Sequence, residues 1–236
     1  MSVSALTPRP DQVAELTRGL DLPLPPIADA LMIVLAETVF AAFAAVRASW
    51  PVTVVSGTEP EVTALLISRL NAMTEDVGLW GSLVRCVGRG DQFISVDGTH
   101  LEKEPDLSIW LTNRSARFPL VAEAKIIDTA NGKTATLYCS QGVRRFLVGE
   151  YGWGGREALM LGYVRDASTI PARLAPYLAH ASHTLTYGVE VSPIAVGLTG
   201  DCARSQHARS FAYSHLPAPN NLPGPITLWH LWLKGA

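Results

Sequence analysis

Residues 104–111 read EPDLSIWL and residues 120–127 read LVAEAKII, and the expected architecture follows from these two stretches. Each is an apolar run of strand length next to proline or turn-forming residues. Successive side chains of a strand alternate between its two faces, so Glu123 and Lys125 share one side and Ala124 takes the other. A run this apolar is typical of a central strand that is buried on both faces. We therefore expect a sheet that holds a carboxylate and an ammonium in its interior.

Such buried charges need partners. Burying them is costly unless they pair with each other or bind something else. Asp106, at the start of the preceding strand, brings a second carboxylate to the same region. Mg²⁺ prefers carboxylate and carbonyl oxygens, so Asp106, Glu123 and the carbonyl of Ala124 form a candidate ligand set, with Lys125 beside the reacting group. The alternative is structural: an internal Glu123–Lys125 ion pair, with Asp106 capping a turn.

The rest of the chain alternates helical and extended patterns. Apolar spacing predicts helices at about 10–19, 27–48, 60–70, 135–150 and 171–180. It predicts strands at 83–87, 93–96, 107–111, 120–127, 160–164, 185–191, 208–214 and 226–233. This order favours a three-layer α/β domain with a mixed sheet.

The order of the charged residues resembles the motif of the PD-(D/E)XK phosphodiesterases, the restriction-endonuclease-like superfamily. Pro105-Asp106 matches its first half and Glu123-Ala124-Lys125 its second, and the resemblance spans roughly residues 58–165. It implies a restriction-endonuclease-like three-layer sandwich with a mixed central sheet. It also implies Mg²⁺- or Mn²⁺-dependent hydrolysis of nucleic-acid phosphodiesters, with DNA favoured over RNA and a setting in bacterial defence or repair.

The resemblance also implies roles for residues outside the two strands. Members of the superfamily tend to carry a glutamate on a helix before the motif, and Glu59 and Glu61 both remain candidates for this position. The helix after the motif often contacts substrate, and there Gln141 and Arg145, four residues apart, share a face, with Arg144 adjacent.

The N-terminal part is expected to differ from the remainder. We predict a helical extension at 1–52, with a role in oligomerisation, followed by the nuclease-like domain at 53–236. Residues 27–46 approach the length that crosses a bilayer, but Asp29 and Glu37 interrupt them. We therefore expect a buried helix, or one that contacts another subunit, and no stable membrane insertion.

Composition limits the remaining classes. The 236 residues are 48% hydrophobic and 17% charged with a net charge of −2, so a general basic surface is missing and a second copy or a partner protein is expected to help hold nucleic acid. The 3 scattered cysteines predict neither a disulfide framework nor a zinc site and favour the cytoplasm. A catalytically silent binding or interaction module with the same fold, and a membrane-associated subunit, stay open as alternatives.

Overall fold

A mixed β-sheet forms the centre of the molecule. The computed structural model describes residues 10–76, 78–90, 94–98 and 104–235. Within these ranges seven strands pair in the order β1-β2-β3-β4-β7-β6-β5. The pairs β3–β4 and β4–β7 are parallel and the others are antiparallel. The strands are β1 Val84–Gly88, β2 Leu107–Leu111, β3 Leu120–Ile127, β4 Glu157–Val164, β5 Val189–Ala195, β6 Asp201–His207 and β7 Ile226–Lys234.

Helices precede the sheet and connect its strands. Before β1 lie α1 Pro10–Thr17, α2 Asp29–Ser49, α3 Pro51–Ser56, α4 Glu59–Ala72 and α5 Leu79–Leu83; after β3 come α6 Ala135–Tyr138, α7 Arg144–Leu147, α8 Ala175–Ala179 and α9 Ala181–Thr186. A π-helical turn at Cys139–Val143 joins α6 to α7, and a second one, Ile170–Leu174, leads into α8. Two 3₁₀ turns lie at Met73–Glu75 and Thr129–Asn131.

The alternation of β3 side chains separates two layers of helices. On one face, Ala122, Ala124 and Ile126 belong to a buried core that also contains side chains of α2 and α4. On the other face, Val121 and Ile127 join a second core with α6, α7 and α8. The predicted α/β class with a mixed, helix-covered sheet is thus confirmed.

Helix α2 packs on the sheet. In the part of the chain that the structure describes, it is the one helix long and apolar enough to cross a membrane. Its inward face is buried in the same core as α4 and β3, so this part of the predicted extension shares a core with the rest of the chain. Its acids contact the same chain: Asp29 pairs with Arg204 at 2.5 Å, and Thr199 Oγ1 donates to Glu37 at 2.6 Å. The division at residue 52 and the role in oligomerisation stay predictions.

Three predicted strands differ from the structure. Ile94 and Ser95 have no regular structure, Val96 lies in a turn, and Phe93 falls outside the described residues. The range 185–191 begins inside α9, because Gly188, at φ +53°, ends the helix and delays β5 to residue 189.

The predicted strand at 208–214 is also wrong. Strand β6 lies earlier, at Asp201–His207, where it pairs with β7. Two aromatic residues of the predicted range, Phe211 and Tyr213, pack instead in a small separate core with Trp153. Residues 208–213 have no regular structure, and residue 214 lies in a turn.

Candidate active site

Two carboxylates cover the edge of β3 where its pairing with β2 ends. The β2–β3 register runs from Ile109–Leu120 to Leu107–Ala122. Just beyond it, the Ala124 N–H donates to Asp106 Oδ2 at 2.8 Å. Two residues further on, the Ile126 N–H donates to Glu59 Oε2 at 3.1 Å. Backbone donors that a neighbouring strand would otherwise satisfy therefore fix the position of both acids.

The start of α4 distinguishes Glu59 from Glu61. Thr58 caps this helix, and its N–H and hydroxyl donate to Glu61 Oε2 at 2.7 and 2.8 Å, which closes a capping box. The hydrogen bond from the Thr58 backbone lowers the pKa of Glu61. Glu61 is exposed and engaged in the cap, whereas Glu59 extends to β3. The structure thus places Glu59, rather than Glu61, beside the motif.

The Lys125 ammonium lies among four oxygen atoms. Its Nζ is 2.8 Å from Glu123 Oε1 and 2.9 Å from Glu59 Oε1. It donates to the carbonyl oxygen of Ala124 at 2.5 Å, and Asp106 Oδ2 lies 3.6 Å away. The Lys125 side chain is 12% exposed and that of Glu123 only 2%. The predicted residues of the two motif halves therefore form one compact cluster with Glu59, partly open to solvent.

Burial and charge set the protonation states in this cluster. Burial, and next the like charge of Asp106, raise the pKa of Glu123 to about 7. The cations Lys125 and Arg145 limit that rise. Burial alone would lower the pKa of Lys125, but Glu123, Asp106 and Glu59 outweigh it and raise the pKa. The lysine therefore remains a cation beside a carboxyl group that ionises near neutral pH.

Tyr151 and Arg145 hold the other side of Glu123. The fully buried Tyr151 hydroxyl donates to Glu123 Oε2. Arg145 Nη1 lies 3.5 Å from Glu123 Oε1 and donates to the Tyr151 hydroxyl at 3.3 Å. Burial, with the charge of Glu123, raises the pKa of Tyr151, so the hydroxyl stays a donor. Tyr151 is not among the site residues that the sequence predicts. The sequence offers one hint, the glycines at 149 and 152 on either side of it, and both have positive φ in the structure.

The turn that carries Gln141 lies close to the buried acid. A Cβ atom at Gly142 would be 2.5 Å from Met160 Cε and 3.5 Å from Glu123 Cγ, so a side chain here would displace the end of Met160 next to the acid. Gln141 and Arg144 are exposed, and their described contacts do not include the acidic cluster. Of the three substrate-contact candidates, the structure brings Arg145 to the cluster.

The donor set suits a hard divalent cation. Carboxylate and carbonyl oxygens are the ligands that Mg²⁺ and Mn²⁺ take. Asp106 Oδ2, Glu123 Oε1 and the Ala124 carbonyl oxygen all lie within 3.6 Å of Lys125 Nζ, and the chemistry of these donors fits such an ion. Among the described residues, however, no three His, Cys, Asp or Glu side chains are arranged as a metal site. The ammonium of Lys125 lies among the oxygens named above.

In the part that the structure describes, the chain is an α/β protein with a seven-stranded mixed open sheet and a lysine–carboxylate cluster at the edge of its third strand. Comparison with protein-family models, with curated proteins and with solved structures finds no significant match in any of the three.

Proposed function

We propose that the chain is a metal-dependent nuclease with a restriction-endonuclease-like fold, acting on nucleic-acid phosphodiesters in the cytoplasm, with DNA favoured over RNA. The observation that supports this most strongly is the convergence of Asp106, Glu123, Glu59 and Lys125 beside the part of β3 that extends past its pairing with β2. An ion pair placed only for stability does not need two further carboxylates fixed by backbone N–H groups. The order of these residues also follows the PD-(D/E)XK motif.

Each residue has a role in this proposal. Asp106, Glu123 and the carbonyl of Ala124 hold Mg²⁺ or Mn²⁺, and when bound the ion supplies Lewis-acid activation of water and phosphate. Lys125 offsets negative charge that develops on the phosphate. Glu59 fixes the strand edge through the Ile126 N–H and orients Lys125.

Arginine and glutamine side chains provide the proposed substrate contacts. Arg145 is partly exposed at the cluster, and Arg144 and Gln141 are exposed on the same short helical segment. Arginine binds phosphate oxygens in a bidentate manner, which positions a nucleic-acid backbone without reading its sequence. The net charge of −2 supports a second copy of the chain, or a partner protein, as the source of further phosphate contacts.

A catalytically silent binding module is the second candidate. Lys125 is already satisfied by Glu123, Glu59 and the Ala124 carbonyl, so the cluster is complete as an internal ion network. In such a module the same surface binds nucleic acid or protein without turnover.

Incubation of the purified protein with supercoiled plasmid, single-stranded DNA and RNA separates the two candidates. A nuclease cleaves at least one substrate with Mg²⁺ or Mn²⁺ and none with EDTA. Binding of a substrate in a gel-shift assay without cleavage under any metal condition contradicts the nuclease proposal and supports the silent module.

A further inference from the structure

The Lys125 ammonium lies among the oxygens that are proposed to hold the cation. All three oxygens assigned to the ion surround Nζ: Glu123 Oε1 at 2.8 Å, the Ala124 carbonyl at 2.5 Å and Asp106 Oδ2 at 3.6 Å. An ion that used these oxygens as ligands would need space that the ammonium fills. The ammonium and the ion also require the same oxygen lone pairs.

We propose that Lys125 is the resident cation of the unloaded site and that its ammonium must leave before a divalent ion binds. This inference rests on the proposed function, because it concerns the same oxygens. It gives Lys125 two roles in sequence: it first competes with the ion for the site and, once displaced, lies beside the phosphate.

Burial of Glu123 favours a cation in the unloaded site, and Glu59 gives the displaced ammonium another partner. Glu123 is 2% exposed, and without a cation its charge would face that of Asp106 in a poorly solvated space. Glu59 Oε1 is 2.9 Å from Nζ, and the Glu59 side chain is 25% exposed, against 2% for Glu123. A lysine that withdraws from Glu123 and Asp106 can therefore keep its contact with Glu59.

Competition predicts that removal of the ammonium strengthens metal binding, although it removes a catalytic group. The space between Glu123 Oε1, Asp106 Oδ2 and the Ala124 carbonyl oxygen is called the oxygen cage below. If the ammonium fills this cage about 90% of the time, the apparent affinity for the ion is reduced about tenfold. We therefore expect Lys125→Met to bind Mn²⁺ about tenfold or more tightly than the unaltered protein. Binding is measured from the electron paramagnetic resonance signal of free Mn²⁺, which needs no activity.

Arg145→Met is the matched control. It removes the same charge at a similar range from the same acid, 3.5 Å from Glu123 Oε1, but outside the cage. A general electrostatic effect strengthens Mn²⁺ binding equally in both variants, and this outcome overturns the inference. The inference predicts a clearly larger gain in Lys125→Met.

A second measurement does not depend on the folding of a variant. Anomalous scattering from Mn²⁺ in crystals of the unaltered protein locates the ion, and the inference predicts Nζ withdrawn from Glu123 and Asp106. Bound Mn²⁺ with Nζ still in the cage overturns the inference while the proposed function stands. Failure of the protein and both variants to bind Mn²⁺ overturns the metal-dependent function together with the inference.

Discussion

Tyr151 donates a hydrogen bond to Glu123 Oε2, the oxygen next to the one that faces Lys125. The two oxygens of this carboxylate thus have separate partners, a neutral donor on Oε2 and the cations Lys125 and Arg145 on Oε1. A ligand held in this way presents a single oxygen to an ion, and such supporting contacts tune metal affinity. Tyr151 is therefore a positioning residue for the proposed site.

Tyr151→Phe tests this relationship. The variant leaves Glu123 Oε2 buried without the tyrosine donor, so we expect the free energy of unfolding to fall by about 1–3 kcal/mol. Mn²⁺ affinity should fall about 10- to 100-fold. Chemical denaturation and Mn²⁺ titration measure the two effects. Tyr177→Phe, which removes a hydroxyl away from the cluster, should leave Mn²⁺ affinity unchanged; an equal loss in both variants contradicts the assignment.

Glu59→Gln and Glu61→Gln make the same chemical change two residues apart. Glu59→Gln removes the charge that contacts Lys125, and we expect the cleavage rate to fall on the order of 10²-fold through misplaced groups. Glu61→Gln keeps the capping box, since glutamine also accepts from the cap N–H, and its rate should match that of the unaltered protein. Initial cleavage rates of the two variants show which glutamate belongs to the site. The reverse order of effects would place Glu61 in the site.

Gly90→Ala tests how Asp106 is positioned. The Gly90 N–H donates to the Pro105 carbonyl oxygen at 3.0 Å, and a Cβ at residue 90 would meet that same oxygen at 2.2 Å. The backbone next to Asp106 must then shift, at a cost of about 1–3 kcal/mol. We expect a lower unfolding free energy and weaker Mn²⁺ binding. Gly197→Ala, where a Cβ meets nothing within 4 Å, is the control, and equal behaviour of the two variants contradicts the prediction.

A pair of buried histidines predicts a loss of stability in acid. Burial lowers the pKa of His230 to about 3 and that of His207 to about 4. Ser205 Oγ lies 2.7 Å from Nε2 of each ring. The unfolded chain takes up these protons near the ordinary histidine pKa of about 6.5, whereas the folded chain resists them until pH 3–4. Each histidine therefore lowers the free energy of unfolding by about 2 kcal/mol between pH 7 and pH 5.

Protonation of Glu123 changes the free energy of unfolding in the opposite direction to protonation of the histidines. Its raised pKa lets the folded chain bind a proton first, which adds stability as the pH falls. The histidine effect is therefore read from the difference between the unaltered protein and His230→Asn, each denatured with urea at both pH values. The variant should lose about 2 kcal/mol less on acidification. Equal losses would show that His230 does not resist protonation in the folded protein.

Part of the site was predictable because its spacing is local. A period of two along β3 places Glu123 and Lys125 together, and Pro105-Asp106 precedes the strand that pairs with it. Other features depend on contacts between distant segments. The choice between Glu59 and Glu61 depends on a capping box and on the unpaired edge of β3. Tyr151 comes from a loop whose residue pattern carries no strand or helix period.

For the strands, too, local sequence patterns predict some elements, and others depend on pairing with a distant segment. Strands whose apolar runs are continuous, such as β3 and β7, were predicted close to their observed bounds. Strand β6 was missed because its sequence, DCARSQH, contains few apolar residues and is stabilised by pairing with β7. Its register is set by a partner about 25 residues away, which a local pattern does not encode.

The rate of plasmid cleavage with Mg²⁺ or Mn²⁺, compared among the unaltered protein, Lys125→Ala and Lys133→Ala, tests the proposed chemistry most directly. We predict cleavage by the unaltered protein and by Lys133→Ala, which removes a lysine from the loop after β3. Lys125→Ala should be slower on the order of 10²-fold or more. Equal rates for the unaltered protein and Lys125→Ala would contradict the proposed active site, and so would the absence of cleavage by the unaltered protein with either metal.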